Sequence, residues 1–554
     1  MNKTILSLLT ILCLSFTLFP VGLAFGVKPV KAESNTWIVD DDGPADFYTI
    51  QEAINNANEG AIIFVRNGTY SENVFVNKTV MLIGESREAT IINGNRTGNV
   101  LCVVENNVTV SNFTIIAGDL DLWKACGIYV NSSNNAFLNN IIAENNRGIY
   151  FDGAHNNNVS SNLMFGNLFG HYIVHSDNNA FERNSLTSNG IGFYSVWSDG
   201  SVLNNNIFVE NDGVAILVMH GHLSTFKRNT LLSNEHGFWL DPVSDSLIVE
   251  NSIVNNREVG IRFHGYSYDN VIIGNNITGN NDGLLFHDTT HTAILHNSIS
   301  KNENGIAIHG GSSISVWLEI KYNNVVNNTN GLWQSEYGCA RICQNNFISN
   351  NVQAKNEEQS IIQWSAEYPS GGNYWDDYTG QDLLSGPDQD ESGGDGIGDT
   401  QYSIDARNDD RYPLMAPIST FDADTWNETS YKFDVVSNST VSDFDFDPNI
   451  GPFMTFSVTG EKGTTGFCRV TIPKDILWVD NGWTISVGGD PITNYTTASD
   501  EDCTHLYFTY NHSTKIVQIE GTHVVPEFPS IIILPLFMTT TLLAVMIYTR
   551  KPKS

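Results

Sequence analysis

Apolar residues occur in short runs throughout the middle of the chain, and within each run they alternate with other positions. The runs that follow Gly148, Gly283 and Gly305 read "IYF", "LLF" and "IAI", and each is bounded by asparagine and glycine. Alternation with a period of two predicts β-strands whose side chains point in turn to the core and to solvent. The runs are too short for helices, and glycine and asparagine are weak helix formers. We therefore predict short strands separated by tight turns.

Glycine and asparagine repeat in phase with these runs, about every 22 to 23 residues. The glycines are Gly127, Gly148, Gly170, Gly192, Gly213, Gly237, Gly260, Gly283, Gly305 and Gly331. One asparagine series is Asn140, Asn162, Asn184, Asn206, Asn229, Asn251, Asn276, Asn297, Asn324 and Asn346. A second series is Asn145, Asn167, Asn189, Asn211, Asn234, Asn256, Asn281, Asn302, Asn328 and Asn350. Such a period predicts a solenoid in which each repeat forms one coil.

The asparagines indicate which solenoid this is. Equivalent residues in successive coils of a parallel solenoid lie about 4.8 Å apart, so their amide groups can form a continuous hydrogen-bonded ladder. We predict an all-β fold, a right-handed parallel β-helix over residues 36–365, with two asparagine-laddered corners. The segment containing Ile50, Ala53, Ile54 and Ala57 is amphipathic and predicts a short helix that caps the open end of the core.

Two segments of different character follow the repeats. Residues 366–419 are rich in acidic residues and glycine, and residues 420–523 carry six or seven longer alternating runs typical of a small antiparallel β-sandwich. We interpret the sandwich as a stalk, with a binding domain as the alternative. Spaced carboxylates suit a Ca²⁺ site, the alternative being a merely solvated acidic loop. The candidate calcium ligands are Asp388, Asp390, Asp395 and Asp399.

The two ends of the chain indicate export and anchoring. Residues 5–27 form an apolar run after Lys3, and a small-residue cleavage point follows near Ala32, so residues 1–32 are interpreted as a signal peptide. Residues 524–554 contain an apolar segment, 531–548, which predicts a transmembrane helix followed by a basic tail. The sequence therefore predicts a protein at the cell surface.

Net charge and cysteine content limit the possible partners of the protein and its cellular compartment. The chain has 554 residues, only 28 of them Lys or Arg, and a formal net charge of -33, which argues against nucleic acid as a partner. Six cysteines remain beyond the signal peptide, as expected in an oxidising compartment. Their spacing suggests disulfides within three pairs, with a metal pair as the alternative for the second. These pairs are Cys102–Cys126, Cys339–Cys343 and Cys468–Cys503.

Several segments resemble known families. The string from Phe47 to Glu85 resembles the entry to NosD-like and pectate-lyase-like β-helix proteins of archaeal surfaces, and Gly371–Asp405 resembles the segment that closes NosD-like helices. The motif Pro526, Glu527 and Phe528, before the apolar segment and basic tail, is similar to sorting tails recognised by archaeosortases. This resemblance implies a membrane-anchored surface protein that an archaeosortase-type enzyme processes.

Candidate chemistry lies on the outward positions of the strands that follow the repeat glycines. Aromatic side chains there offer stacking surfaces for sugar rings. The candidate substrate-binding residues are Tyr129, Tyr150, Asp152, Tyr172, Tyr194, Trp239 and Trp333. Imidazole, carboxylate and guanidinium groups between the aromatics suit acid–base chemistry. The candidate catalytic residues are Asp241, Arg262, His264, His287 and His309, with Asp241 orienting His264.

The function that these residues favour is binding of a surface or environmental polysaccharide. The main alternative is a polysaccharide lyase, glycoside hydrolase or epimerase acting on the same face. Asp152 and Asp241 lie four coils apart, roughly 19 Å, which is too far for the carboxylate pair of a glycosidase. The histidines could also simply stack or bind Zn or Cu. A structural envelope protein without ligand, and metal handling by analogy with NosD, remain open.

Overall fold

The computed structural model describes residues 36–118, 125–310, 317–335, 338–357, 362–426 and 429–524. The predicted signal peptide, the Pro526–Phe528 motif and the apolar segment 531–548 lie outside these residues. Within the part of the chain that is described, no helix is long and apolar enough to cross a membrane.

Three parallel sheets wind into one solenoid of about 14 coils, which confirms the predicted right-handed type of parallel β-helix. Sheet 1 consists of the strands Thr36–Val39, Ala61–Val65, Val80–Gly84, Thr109–Ser111, Ala136–Leu138, Asn158–Ser160, Ala180–Glu182, Val202–Asn204, Thr225–Lys227, Leu247–Val249, Val271–Ile273, Thr290–Leu295, Trp317–Lys321 and Cys339–Cys343. Sheet 2 consists of Val74–Val76, Leu101–Val103, Cys126–Val130, Arg147–Asp152, Phe169–Val174, Ile191–Val196, Val214–His222, His236–Ser244, Val259–Phe263, Asp282–His287, Asn304–His309, Asn330–Gln334 and Val352–Asn356. Sheet 3 consists of Gly68–Tyr70, Thr90–Asn93, Thr114–Ile116, Ile141–Ala143, Leu163–Phe165, Ser185–Thr187, Ile207–Val209, Thr230–Leu232, Ser252–Val254, Asn276–Thr278, Ser298–Ser300, Asn324–Val326, Asn346–Ile348 and Tyr374–Trp375.

The core is built from columns of apolar side chains that stack from coil to coil. In sheet 2, for example, Phe193 pairs with Ile216 and Ile216 pairs with Phe238, and all three are buried. A helix at Ile50–Asn56 buries Ile50, Ala53 and Ile54 against the first coils, with Thr49 as its N-cap. The helix therefore covers the end of the core, as the sequence predicts, and keeps its apolar columns from solvent.

Asparagine ladders run inside two corners of the solenoid, beginning at Asn140 and Asn145. Between sheets 1 and 3, each Asn Oδ1 accepts from the backbone N–H of the preceding ladder asparagine at 2.8–3.1 Å. This ladder contains Asn140, Asn162, Asn184, Asn206, Asn229, Asn251, Asn275, Asn297, Asn323, Asn345 and Asn373. The second ladder, between sheets 3 and 2, runs from Asn145 to Asn350 at 2.9–3.1 Å.

The predicted ladders were wrong at four positions where two asparagines are adjacent. Asn276, Asn324 and Asn346 begin strands of sheet 3, and their preceding neighbours occupy the ladder instead. In the second ladder, Asn280 occupies the position predicted for Asn281. A third corner, between sheets 2 and 1, carries a mixed asparagine and serine ladder that begins Asn135, Asn157 and Asn179 and was not predicted.

The repeat glycines are required where one coil approaches the next. A Cβ on Gly148 would lie 2.5 Å from the carbonyl oxygen of Gly170, and the same holds between Gly170 and Gly192. The next position in this column is Ala215 rather than Gly213. Gly213 stacks instead on Gly190, which lies two residues before the repeat glycine Gly192, so the predicted phase is displaced by two residues in this coil.

No predicted disulfide forms among the described cysteines, and the strand register explains why. Leu101 pairs with Ile128, 27 residues on, so the 24-residue spacing leaves Cys102 opposite Tyr129 and roughly 10 Å along the strand from Cys126. Cys339 and Cys343 lie in one extended strand, roughly 13 Å apart. Cys468 pairs with Phe508 and Cys503 with Pro473, an offset of roughly 17 Å. Each pair exceeds the 7 Å Cα limit for a disulfide.

The residues after the solenoid close it and lead to an antiparallel module. Short antiparallel pairs join Leu384–Ser385 to Glu391–Ser392 and Tyr402–Ser403 to Asp409–Asp410. One five-stranded sheet of the module contains Ile418–Trp426, Thr429–Ser437, Thr465–Pro473, Cys503–Asn511 and Tyr495–Ser499. The other contains Thr440–Phe446, Phe453–Thr459, Lys515–Glu520, Thr484–Val487 and Asp490–Ile492. A two-stranded pair, Leu477–Trp478 with His523–Val524, completes the module.

The module has its own core and docks on the closing segment. Phe433 and Val435 of one sheet and Met454 and Phe456 of the other belong to a single buried cluster. Arg469, itself buried, donates to the backbone oxygens of Asp395 and Pro369. The solenoid, the closing segment and the module are therefore in contact.

Candidate functional site

The outer face of sheet 2 carries three rows of side chains, because outward positions of paired parallel strands stack from coil to coil. The central row is Tyr129, Tyr150, Tyr172, Tyr194, Leu217, Trp239, Arg262, Leu285, Ala307 and Trp333. The histidine row is Asp152, Val174, Val196, Met219, Asp241, His264, His287 and His309. The acid row is Arg147, Phe169, Ile191, Val214, His236, Val259, Asp282, Asn304 and Asn330.

Four tyrosines form the N-terminal half of the central row. The ring centroids of Tyr129 and Tyr150 are 5.4 Å apart, those of Tyr150 and Tyr172 are 5.2 Å apart, and those of Tyr172 and Tyr194 are 4.9 Å apart. The Arg147 guanidinium lies 4.2 Å from the Tyr172 ring centroid, and the Tyr129 hydroxyl donates to Asp152 at 3.0 Å. Tyr194 stands two residues after Gly192, at the same offset from its repeat glycine as the other three tyrosines, and it pairs with Tyr172. The four tyrosines pack against one another; Tyr150 is buried, whereas Tyr129, Tyr172 and Tyr194 are partly exposed on this face.

The C-terminal half of the face brings the predicted catalytic residues together. His264 Nδ1 lies 2.9 Å from Asp241 Oδ2, in the arrangement that the sequence predicts for a carboxylate orienting an imidazole. The Arg262 guanidinium stacks 4.2 Å from the Trp239 ring centroid. Burial lowers the pKa of Arg262, and the neighbouring Asp241 and Asp282 oppose this shift. A planar cation, an aromatic ring and an oriented imidazole thus occupy adjacent coils.

The histidine row continues past this pair. The His264 and His287 ring centroids are 5.7 Å apart, and the His287 and His309 rings stack at 4.8 Å. His309 Nδ1 lies 2.8 Å from the Ser335 hydroxyl, and its ring meets Trp333 edge to face at 5.1 Å. Desolvation, reinforced by His309, Arg262 and His264, lowers the pKa of His287 to about 4. The central imidazole of the row is therefore neutral at pH 7.

Sequence reasoning missed the acid row opposite these histidines. Asn304 donates to Asp282 at 2.7 Å, and Asn330 donates to Asn304 at 2.7 Å, so the three side chains form a continuous polar strip. Burial raises the pKa of the Asp282 carboxyl. A signal was present, because the position before the repeat glycine is apolar in most earlier coils and polar in these three successive ones. The face is therefore bordered by polar groups on both sides of the central row.

The structure divides the predicted site residues into two groups. Trp239, Asp241, Arg262, His264 and His287 occupy adjacent coils, and His309 and Trp333 follow in the next two. The four tyrosines and Asp152 form a separate group toward the N-terminus, with the Leu217 coil between the groups.

The predicted calcium ligands do not converge on one point. The Asp388 carboxylate pairs with Arg411 at 3.1 Å, and Asp399 accepts from the Leu383 and Leu384 backbone N–H groups. Asp395 is buried and accepts from the backbone N–H of Ile397. Over the described ranges, only Asp40, Asp41 and Asp42 bring three ligand atoms within 4.8 Å of one another. The structure does not bring Asp388, Asp390, Asp395 and Asp399 together as predicted, and Asp388, Asp395 and Asp399 contact other groups of the closing segment.

Comparison with known proteins finds partial relatives. A pectinesterase/pectinesterase inhibitor of Ficus pumila var. awkeotsang is 31% identical over 144 residues, covering 21% of this chain and 25% of the relative. A cell surface glycoprotein of Methanothermus fervidus is 35% identical over 99 residues, covering 17% of this chain and 16% of the relative. The chain thus spans a quarter or less of the length of these two relatives.

Solved structures and a family model complete the comparison. The A-module of mannuronan C-5 epimerase AlgE6 from Azotobacter vinelandii aligns with a TM-score of 0.38 and 14% identity over 56% of this chain and 92% of that one. PfbA, a surface adhesin of Streptococcus pneumoniae, aligns with a TM-score of 0.41 and 14% identity over 53% and 88%. A family model described as "Periplasmic copper-binding protein (NosD)" matches residues 50–260 and 258–380. Because this match covers more than half of the chain, the protein belongs to the NosD family.

Proposed function

We propose that the protein binds a polysaccharide along the outer face of sheet 2. The observation that carries this proposal is the central row, in which five aromatic rings and Arg262 project from six of seven consecutive coils. From Tyr129 to Trp333 the row spans nine coil steps, roughly 43 Å. A strip of this length suits an extended polymer better than a compact small ligand.

The chemistry of the strip favours sugar rings. Half-buried aromatic side chains offer apolar surface while their polar atoms stay near water. Asp282 and Asn304 on one border, and His264 and Asp241 on the other, supply acceptors and donors for hydroxyl groups. The overall charge of -33 is unfavourable for long anionic polymers, so a neutral or weakly charged glycan is the better fit.

Alanine substitution of Trp239 tests binding. Loss of its stacking surface, and of the surface on which Arg262 rests, should weaken glycan affinity by roughly 1–3 kcal/mol, by analogy with base–aromatic stacking. Binding to a glycan array and titration calorimetry would measure the change. Trp317→Ala is the matched control, since Trp317 is a half-exposed tryptophan on sheet 1. Equal affinities for wild type and Trp239→Ala on every glycan bound would reject this face as the binding surface.

Acid–base catalysis on a bound polysaccharide is a second candidate, favoured by the 2.9 Å contact between His264 and Asp241. A carboxylate that holds Nδ1 leaves Nε2 available to take a proton from a substrate, and Arg262 would stabilise nearby negative charge. His264→Ala should then reduce turnover about 10²–10⁴-fold, whereas Trp239→Ala should mainly raise KM. The face is a binding surface alone if the wild-type protein neither cleaves nor modifies any bound polysaccharide and His264→Ala binds as well as wild type.

The family description names copper. Copper favours imidazole, thiolate or thioether ligands around one point. The stacked His287 and His309 rings lie nearly parallel, with 23° between their planes, and the three-donor cluster within the described ranges is made of carboxylates. This donor set does not fit a preformed copper centre, so no step of the proposed function involves copper.

We further propose that the protein acts outside the cell, anchored to the membrane through its C-terminal segment. The apolar segments near both termini and the Pro526–Phe528 motif support this location, as does the similarity to an archaeal cell surface glycoprotein. Mass analysis of the mature protein from membranes would test it. Recovery of intact residues 524–554 would reject processing by an archaeosortase-type enzyme, and recovery of the signal peptide would reject export.

A further inference from the structure

A cavity of about 720 Å³ is lined by residues of the antiparallel module. Its lining includes Trp478, Trp483 and Tyr495, together with Thr497, Ser499 and Thr504. The volume falls within the range of roughly 300–1,000 Å³ that small-molecule sites occupy. Other large aromatic residues of the module, such as Phe433 and Phe508, are fully buried in its core. Trp483 belongs to this core cluster and Tyr495 packs against it, whereas Trp478 is partly exposed and lies outside the cluster.

Three of the four hydroxyl groups at the cavity come from one edge strand. Tyr495, Thr497 and Ser499 alternate along the strand Tyr495–Ser499, so their side chains share one face. Thr504 stands directly opposite Ser499 in the paired strand. The opposite face of the edge strand is already occupied, since Thr496 donates to the Gly394 backbone oxygen of the closing segment at 3.4 Å. The face with two hydroxyls and an aromatic ring is the one left open to the cavity.

Two of the aromatic rings are held in position by neighbours. The ring of His523 stacks on one face of Trp478 at 5.3 Å, and His523 Nε2 lies 2.6 Å from Asp480 Oδ2. The backbone N–H of Trp483 donates to the Tyr495 hydroxyl at 3.0 Å. Fixed rotamers reduce the entropy lost when a ligand binds, so this cavity is preorganised.

We propose that this cavity is a second, independent saccharide-binding site, which takes a neutral oligosaccharide of about two or three rings. Trp478 and Tyr495 would contact the apolar faces of the sugar rings, and the row of Thr497, Ser499 and Thr504 would exchange hydrogen bonds with sugar hydroxyls. The module is then a binding domain rather than only a stalk. This inference does not depend on the solenoid face, because the two surfaces share no residue.

Titration calorimetry of the full-length protein with a panel of neutral trisaccharides tests the proposal. The panel would include glucose-, mannose-, galactose- and xylose-based trisaccharides at concentrations up to millimolar. Wild type should bind at least one of them, and Trp478→Ala should weaken that binding about tenfold or more. Thr497→Val removes an exposed hydroxyl without touching the core, and should weaken the same binding by a smaller factor.

Trp317→Ala, on sheet 1 and outside both proposed surfaces, is the matched control and should leave trisaccharide binding unchanged. Absence of binding by every member of the panel overturns the proposal. So does binding that Trp239→Ala abolishes while Trp478→Ala and Thr497→Val retain it, since the trisaccharide would then occupy the solenoid face. Melting curves and circular dichroism of each variant separate loss of binding from loss of fold, and Thr497→Val keeps the test valid if Trp478→Ala unfolds.

Discussion

His171 occupies a position in the solenoid core that its neighbours fill with apolar side chains. It pairs with Ile149 on one side and Phe193 on the other, and its side chain is buried. Neither ring nitrogen finds a hydrogen-bond partner among the described residues. An unsatisfied buried polar group costs about 1–3 kcal/mol. We therefore expect His171→Ile, which continues the aliphatic column, to stabilise the protein by about 1–3 kcal/mol at pH 7.

The same residue predicts a pH dependence with a definite sign. Burial lowers the pKa of His171 to about 3, whereas in the unfolded chain it is about 6.5. The folded-state pKa is depressed, so the contribution to stability is fully present above pH 6.5 and is lost as the pH falls toward 3. Each pH unit in this window costs about 1.4 kcal/mol, or roughly 3 kcal/mol by pH 4. The increase in unfolding free energy of His171→Ile over wild type should therefore be largest at acid pH.

Urea denaturation at several values between pH 7 and pH 4, followed by circular dichroism, measures this difference. Because solenoid stability is a sum of local terms, hydrogen exchange in the coils around Phe169–Val174 gives a local readout. Ile149→Val is the control, since it alters the same column without a titratable group and should lower stability equally at all pH values. A difference in unfolding free energy between His171→Ile and wild type that stays constant from pH 7 to pH 4 would show that burial does not depress the pKa of His171.

Two further predictions concern the scaffold. Asn229→Ala should lower stability by about 2–4 kcal/mol in urea denaturation, because Asn229 Oδ1 accepts from the Asn206 backbone and amide and its Nδ2 donates to Leu203 and Asn251. Asn204→Ala, at a half-exposed position, should change stability by less than about 0.5 kcal/mol, and equal effects would contradict the ladder account. Alkylation of the denatured, unreduced protein should label Cys339, Cys343, Cys468 and Cys503, because their strand positions keep the predicted partners apart. Protection of either pair from labelling would show that the register is wrong.

Much of the fold is contained in local sequence periodicity. The strands and the coil length of about 22 to 23 residues follow from the repeats, and the capping helix follows from one amphipathic segment. The row Tyr129, Tyr150 and Tyr172 also follows, because each tyrosine stands at the same offset from a repeat glycine and the strands pair in that register. The contact between Asp241 and His264 could be predicted for the same reason.

Other features depend on where the chain departs from strict periodicity. Asn275 and Asn276 are chemically identical neighbours, and only the packing of the turn determines which one enters the ladder. The coil that contains Cys102 advances by 27 residues rather than 24, so a spacing argument fails for the disulfide. The acid row of Asp282 and Asn304 could be recognised as part of the site only from the structure, which places it across the central row from the histidines of the same strands.

The repeating unit can be read from the amino-acid sequence, because strand alternation involves neighbouring residues in one coil and ladder residues contact only the adjacent coils. Three features are visible only in the tertiary structure: the register across irregular coils, the separation of the cysteines, and the cavity lined by Trp478 and Tyr495. These features join residues whose separation along the chain follows no period. Their contacts are set by how whole coils and sheets pack, and that packing depends on side-chain volume and on inserted turn residues as well as on pattern.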